Sequence, residues 1–292
     1  MADFKIAAVF RAREYSPNHI GNDAAILNEV CDQLRKRGCS VETFSEDRLV
    51  SEGYAYPGQY NAWLTMARSP RCVDLLEKME SNGELVINSG YGIENCRRGR
   101  MANILLAHNV PFTDFIAVDT DESVVKRLKK AEYQKCWIKQ ADHHSQHKED
   151  VTFVRHAGEA QEVLQEYFMR GIKRAIICRH LEGDIIRFYG VRGTSFFQWF
   201  LPMDDQPYVH DHEVEGGEKP AWIREKELKE LCDRAAETLD LKVYGGDCIQ
   251  LPTGALKLID VNDWPSFAPC RKPAASTIAR MVLSEIKKKV RL

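Results

Sequence analysis

Asp247, Asp260 and Asn262 are the residues whose types and spacing point most directly to chemistry. Asp247 stands in Gly245-Gly246-Asp247-Cys248-Ile249, and the other two in Leu256-Lys257-Leu258-Ile259-Asp260-Val261-Asn262-Asp263-Trp264-Pro265. Both runs read as strands, and Pro252-Thr253-Gly254 between them is a turn signal that folds them into an antiparallel pair. Such a pair brings Asp247 near Asp260, while strand alternation puts Asp260 and Asn262 on one face. Carboxylates gathered among apolar residues are costly to bury unless a cation neutralises them. Two carboxylates and an amide oxygen suit Mg²⁺, which holds few carboxylates, keeps waters and bridges substrate phosphates. The competing reading is an edge hairpin whose acids face water.

Several cations are placed where an anion could meet them. Cys136-Trp137-Ile138-Lys139 is an apolar strand ending in a lysine, a point charge at the end of a sheet. Arg97, Arg98 and Arg100, interleaved with glycine at the expected start of a helix, form a candidate anion clamp. Arg11 and Arg13 follow the first strand, at the carboxyl edge where open α/β sheets bind ligands, and suit an anionic substrate. Each also has a plain alternative as a solvated basic residue. His143, His144 and His147 sit in the polar loop 140–150 without a cysteine beside them and are expected to be solvated. No G-x-S-x-G turn is present and no cysteine has a histidine placed next to it, so no covalent enzyme intermediate is expected.

The elements that must position these residues alternate. A continuous apolar run, FKIAAVF at 4–10, reads as a strand covered on both faces, followed by a turn-forming loop at 16–23 and a helix over 24–37. Strands at 41–44, 63–66, 85–88 and 112–118 then alternate with helices at 69–80 and 97–109, which argues βαβ units and a parallel sheet. Beyond residue 120 the pattern becomes α+β, with helices at 123–133 and 159–169 and strands at 136–139, 151–154 and 175–179. A hairpin of strands 184–191 and 195–200, an irregular stretch at 203–219, a helix at 224–239, strands at 241–251 and 255–261 and a basic helix at 275–290 complete the chain.

With 292 residues, 41 Lys+Arg against 43 Asp+Glu and a net charge of −2, the chain needs no disulfide staple and has no global electrostatic pull toward nucleic acid or an anionic membrane. Its apolar runs are strand length, and the first residues do not read as a signal peptide, so a cytoplasmic protein is expected. The nine cysteines, an odd number without a C-x-x-C pair, are expected to be reduced core thiols.

The Asp247 and Asp260-Val261-Asn262 strands resemble the metal-binding end of the ATP-grasp superfamily, in which an acid in a G-x-D strand precedes a carboxylate-x-Asn motif and then a proline. The separation of the two acids, 247 to 260, is similar to that in D-alanine:D-alanine ligases. Upstream motifs follow in the same order, over roughly residues 4–268. The resemblance makes Lys139 and Arg98 the phosphate-contacting bases and Gln140 to Asp150 the lid. It makes 175–184 the hinge, where His180 and Leu181 offer backbone contacts to adenine and Glu182 or Asp184 a ribose contact. Arg187 is similar to the arginine that stabilises the transferred phosphoryl or acyl phosphate in glutamate-adding and glutathione-type ligases. Two departures are visible: Asp260 stands where the family usually has Glu, and Gly245 where D-alanine ligases carry Arg.

The resemblance implies an α/β N-terminal domain plus α+β ATP-grasp subdomains, divided at 1–95, 96–180 and 181–292. It implies ATP with one or two Mg²⁺ as cofactors, and Asp247, Asp260 and Asn262 as metal ligands. The reaction implied is ATP-dependent joining of a carboxylate to an amine or thiol through an acyl phosphate. Expected partners are small-molecule or peptide carboxylates and amines, without nucleic acid or membrane, and a homodimer is left open. An ATP-grasp small-molecule kinase and a catalytically silent nucleotide-binding regulator are the alternatives.

Overall fold

The computed structural model describes residues 4–15, 20–52, 57–142, 150–202 and 222–290. Strand β1 (Lys5–Phe10) is almost wholly buried because it is an inner strand of a parallel sheet ordered β2-β1-β3-β4. Its partners β2 (Ser40–Ser45) and β3 (Ala62–Thr65) pair in register at Ile6 with Val41 and Ala62, and the short β4 (Val86–Ile87) lies beyond β3. Helix α1 (Ile20–Arg35) covers one face with Ile26, Leu27 and Val30. The other face meets Leu49 of α2 (Glu46–Glu52) and Leu76 and Met79 of α3 (Pro70–Ser81), packed on Trp63.

Helices α2 and α4 (Gly90–Asn95) do not appear in the sequence reading, for a physical reason. The first has one buried apolar side chain and the second is GYGIEN, so neither carries an apolar stripe of helical period. Helix α5 (Arg98–Ala107) follows α4 directly.

The expected strand 112–118 is divided between two sheets. Phe112 bridges in parallel to Leu258, with Thr113 N donating to the Leu258 carbonyl and Leu258 N to the Pro111 carbonyl, both at 3.0 Å. Only β5 (Phe115–Asp119) enters the second sheet, β5-β8-β6-β7, which is antiparallel throughout. Its strands β6 (Cys136–Gln140), β7 (Val151–Val154) and β8 (Arg174–Arg179) bury Ile138, Val154 and Ile177 against α6 (Val125–Lys130) and α7 (Ala157–Met169). The opposite face carries Trp137, Lys139, Ile176 and Cys178, because residues two apart on a strand share a side.

The third sheet, β10-β9-β11-β12, is antiparallel. Ile186 and Phe188 of β9 (Asp184–Val191) pack with Trp199 of β10 (Phe197–Phe200) and with Tyr244 and Cys248 of β11 (Val243–Gln250). Leu258 and Val261 of β12 (Leu256–Asp263) join them against α5 and α8 (Glu225–Thr238). Helix α9 (Arg271–Val290) then returns to the first sheet, where Ile278 and Val282 share a core with Ile6, Leu27 and Trp264. All nine cysteines are buried and unbridged. Among the described residues no helix is long and apolar enough to cross a membrane.

Candidate active site

The cleft is where the Trp137/Lys139 face of the second sheet meets the Arg187, Asp247 and Asp260 positions of the third, and Lys139 joins the two. Asp247 is in register with Arg187 on β9 and with Asp260 on β12, so three charged side chains stand in a row across adjacent strands, about 4.8 Å apart from strand to strand. The Arg187 Nε donates to Asp247 Oδ1 at 3.3 Å. The backbone can pass this close only because of the glycines. A Cβ on Gly246 would stand 2.2 Å from the Asp260 carbonyl oxygen, and one on Gly245 would stand 2.8 Å from the Phe188 carbonyl oxygen and from Pro265. The position at which D-alanine ligases carry an arginine therefore has no room for one here.

A β-bulge shapes the part of β12 that carries Asp260 and Asn262. Asp260 opposes Asp247 and Leu258 opposes Cys248, which leaves Ile259 without a partner on β11. The extra residue lets Leu258 and Val261 both enter the core while Asp260 and Asn262 face the cleft. The Ile259 carbonyl accepts a hydrogen bond from Lys139 Nζ at 2.9 Å, so the second sheet's lysine reaches across to the third.

Arg98, the first residue of α5, is brought to the same place because Gly99 N donates to the Ala141 carbonyl at 3.1 Å, at the end of β6. Its side chain is buried, and its Nη1 has no hydrogen-bond partner among the described residues. Cys178, on the cleft face of β8, lies within the fields of Lys139, Arg98 and Asp260 together. An unsatisfied buried guanidinium nitrogen and a buried lysine that both act on Cys178 fit a polyanion, since such a donor is costly to leave unmade. The carboxylates fit a cation for the complementary reason. Burial pushes the Asp247 carboxyl up, and Asp260 adds to the shift while Arg187 opposes it.

The stretch 175–184, expected as the hinge, runs from β8 into the start of β9. The His180 amide donates to the Lys135 carbonyl at 3.1 Å, while the His180 carbonyl and the Leu181 backbone make no hydrogen bond among the described residues. Gly183, at φ 155°, would put a Cβ 2.2 Å from the Gln250 carbonyl oxygen, so only glycine fits this turn. Glu182 is exposed, and its hydrogen bond from Lys135 Nζ at 2.8 Å holds its carboxyl below the usual range. Asp184 is exposed at the start of β9.

Two aromatic rings to which sequence reasoning gave no role, Trp137 and Phe153, wall this end beside His180. Trp137 stands 5.0 Å from Phe153 and Phe153 stands 5.2 Å from His180, centroid to centroid. The Trp137 indole donates to His180 Nδ1 at 3.1 Å. The signal that could have found Trp137 is its place two residues before Lys139, on the same strand face.

The arginines of the first strand end differ in surroundings. Each side-chain nitrogen of Arg11 already donates: Nη1 to Asp23 at 2.7 Å, Nε to the Met66 carbonyl at 3.2 Å and Nη2 to the Trp264 carbonyl at 3.3 Å. Arg13 is exposed in a short 3-10 turn, and Arg97 pairs with Glu94 at 2.8 Å. His143, His144 and His147, most of the expected lid, part of the loop at 16–22 and the stretch 203–219 lie outside the described residues. Among those described, no group of three or more His, Cys, Asp or Glu side chains is arranged to hold a metal. A site here thus rests on two carboxylates and one amide, the sparse protein ligation that Mg²⁺ uses when phosphates and waters complete its shell.

No protein-family model matches the chain, and no curated protein matches it. Solved structures do. D-alanyl-alanine synthetase A from Vibrio cholerae superimposes with TM-score 0.73 at 11% identity, covering 100% of both chains. The D-alanine–D-alanine ligase from Bacillus anthracis, complexed with ATP, gives 0.67 at 14% identity over 99% of this chain and 98% of that one. The ATP-grasp ligase PsnB, complexed with a minimal precursor, gives 0.63 at 17% identity over 97% and 100%. At these identities the likeness is one of fold, and the α/β domain with α+β subdomains expected from the sequence is what the chain adopts: from β1 to α9 it carries the fold of the ATP-grasp ligases.

Proposed function

We propose that the chain is an ATP-dependent ligase that activates a carboxylate as its acyl phosphate and joins it to an amine or thiol. The observation that carries this is buried Lys139, which crosses from the second sheet to the carbonyl of Ile259 beside the Asp247/Asp260 pair, with buried Arg98, its Nη1 unpartnered among the described residues, held at the end of the same strand β6, within a fold shared end to end with such ligases. Bound MgATP would supply the phosphoryl group. Arg98 and Lys139 are the residues to hold its phosphates, and Asp247, Asp260 and Asn262 those to hold Mg²⁺. The His180 carbonyl, the Leu181 backbone and the Trp137 and Phe153 rings would receive adenine, with Glu182 or Asp184 at the ribose.

The work of this chain in such a reaction is positioning and charge neutralisation, which supply most of the catalysis in phosphoryl transfer. Arg187 lies beside Asp247 on the cleft face, where a guanidinium can hold the charge that develops on the transferred group. Arg13, exposed in the 3-10 turn after β1, is the residue to meet an anionic part of the substrate.

Two measurements test the reading. MgATP at about 100 times its dissociation constant adds roughly 2.7 kcal/mol of stability to a protein that binds it, and no thermal shift at millimolar MgATP would remove the nucleotide site. A substrate labelled with ¹⁸O in its carboxyl group must pass label into released phosphate. Label retained in a stable phosphorylated product would establish a kinase instead, and MgATP binding without turnover of any carboxylate and amine pool would mark a regulator.

A further inference from the structure

The exit of β12, immediately after Asn262, is gripped by side chains of the first 100 residues in a way that the nucleotide reading leaves unexplained. Asp263 is completely buried and faces away from the cleft, because alternation puts it opposite Asn262. Arg68, at the carboxyl end of the first sheet, places Nη1 2.7 Å from Asp263 Oδ1 and donates from Nη2 to the Asp263 carbonyl at 3.2 Å. Arg11 adds its bond to the next carbonyl, that of Trp264, and is itself held by Asp23. The Trp264 indole donates to the Ile87 carbonyl at 3.3 Å, and the Cys96 thiol meets the backbone of Asp263.

Stability alone does not account for this arrangement, and the backbone at Trp264 points to a positional role. A buried ion pair is weak evidence for stability, since well-packed apolar residues of similar size commonly do as well or better. Trp264 has φ 37°, a left-handed conformation that is an outlier for so bulky a residue. Strained backbone of this kind persists where its surroundings over-determine it, and it clusters at functional sites. Here the surroundings are Arg11, Arg68 and Ile87. Holding residues 263 and 264 in place also fixes Asp260 and Asn262, which stand one to three residues earlier on the same strand.

We infer that Arg68, supported by Arg11, is a positioning residue for the metal-binding end of β12: through the Asp263 carboxylate and the carbonyls of residues 263 and 264 the first domain sets where Asp260 and Asn262 stand. The inference rests on the nucleotide and metal reading above. It also gives a use to the bond from Arg11 Nη2 to Trp264, with the other two nitrogens anchoring Arg11 to Asp23 and Met66. The first sheet then does more than carry substrate loops, since it fixes the geometry of a metal site that belongs to the third sheet.

The test replaces the pair by apolar residues of similar volume, Arg68→Met with Asp263→Leu, and reads metal affinity directly. Mn²⁺ binding in the presence of the non-hydrolysable nucleotide AMPPNP is measured by electron paramagnetic resonance. AMPPNP binding in EDTA and thermal melting are measured alongside. Partners that orient metal ligands typically contribute about 10- to 100-fold in metal affinity. The double variant should therefore bind Mn²⁺ about 10- to 100-fold more weakly, while melting near the wild-type temperature and keeping its metal-free affinity for AMPPNP. A folded variant with wild-type Mn²⁺ affinity overturns the inference. Should the double variant not fold, Arg68→Lys decides. It keeps a cation against Asp263 but loses the second donor to the carbonyl, and a loss of about 10-fold in Mn²⁺ affinity is expected, with no change refuting the role. Wild-type protein that binds AMPPNP in EDTA yet takes up no Mn²⁺ would refute the metal site, and wild-type protein that binds neither would refute the nucleotide reading itself.

Discussion

Arg98→Met separates the nucleotide reading from a structural one by the sign of two effects. In the unliganded protein Arg98 is buried and its Nη1 has no hydrogen-bond partner among the described residues. A buried donor left unmade costs about 1–3 kcal/mol. Methionine is similar in length, adaptable in packing and has no donor to satisfy, so the unliganded variant should be the more stable by about 1 kcal/mol or more. For a chain somewhat larger than 150–250 residues this raises the melting temperature by roughly 2–4 °C per kcal/mol. With nucleotide the sign reverses. A hydrogen bond to a charged group contributes about 1.5–3 kcal/mol, which is roughly 10- to 150-fold in dissociation constant. At a MgATP concentration about 100 times the wild-type constant, wild type gains roughly 2.7 kcal/mol, whereas a variant binding 100-fold more weakly gains only about 0.4 kcal/mol. Scanning calorimetry with and without MgATP should thus show the variant melting higher alone and lower with ligand. An Arg98→Met protein that is less stable alone and keeps the full MgATP shift would refute the reasoning.

Burial raises the folded-state pKa of Asp247 above its unfolded value, so the native protein retains a proton that the unfolded chain has released. Stability then falls as pH rises from the unfolded pKa toward the folded one, and the loss persists above it. Asp247→Asn should accordingly stabilise the metal-free protein in urea titrations near neutral pH, with the difference vanishing below about pH 4; equal gains at both would refute this origin. Gly246→Ala should cost about 1–3 kcal/mol or more, because its Cβ would overlap the Asp260 carbonyl; a wild-type midpoint in denaturant would mean the strands can part without loss. Asp260→Asn, which removes a charge that raises the Asp247 pKa, should melt no lower than wild type and abolish metal-dependent turnover, and wild-type turnover would make Asp260 structural. Arg187→Ala should reduce the rate about 10²- to 10³-fold with little change in MgATP affinity; near wild-type turnover would transfer the charge-stabilising role to another arginine.

Apart from α2 and α4, the order of strands and helices and the pairing of Asp247 with Asp260 were legible in the sequence because both are local. Alternation, helical periodicity and the Pro252-Thr253-Gly254 turn act over a few residues, and they carry the two acids to opposite strands of one hairpin. The resemblance to ATP-grasp ligases came from the order of such local motifs, and the fold agrees over the full chain. What periodicity cannot say is against which surface a buried face packs. The return of α9 to the first sheet, the bulge at Ile259 and the packing of Trp137 and Phe153 beside His180 are contacts between elements. The use of Arg11 shows the difference most plainly. Its position after the first strand suggested a substrate contact, whereas its bond to Trp264 joins residues 253 apart, and that of Arg68 to Asp263 joins residues 195 apart. No local rule constrains such pairs, because it is the closing of the chain on itself that removes water from them and makes each partner necessary to the other.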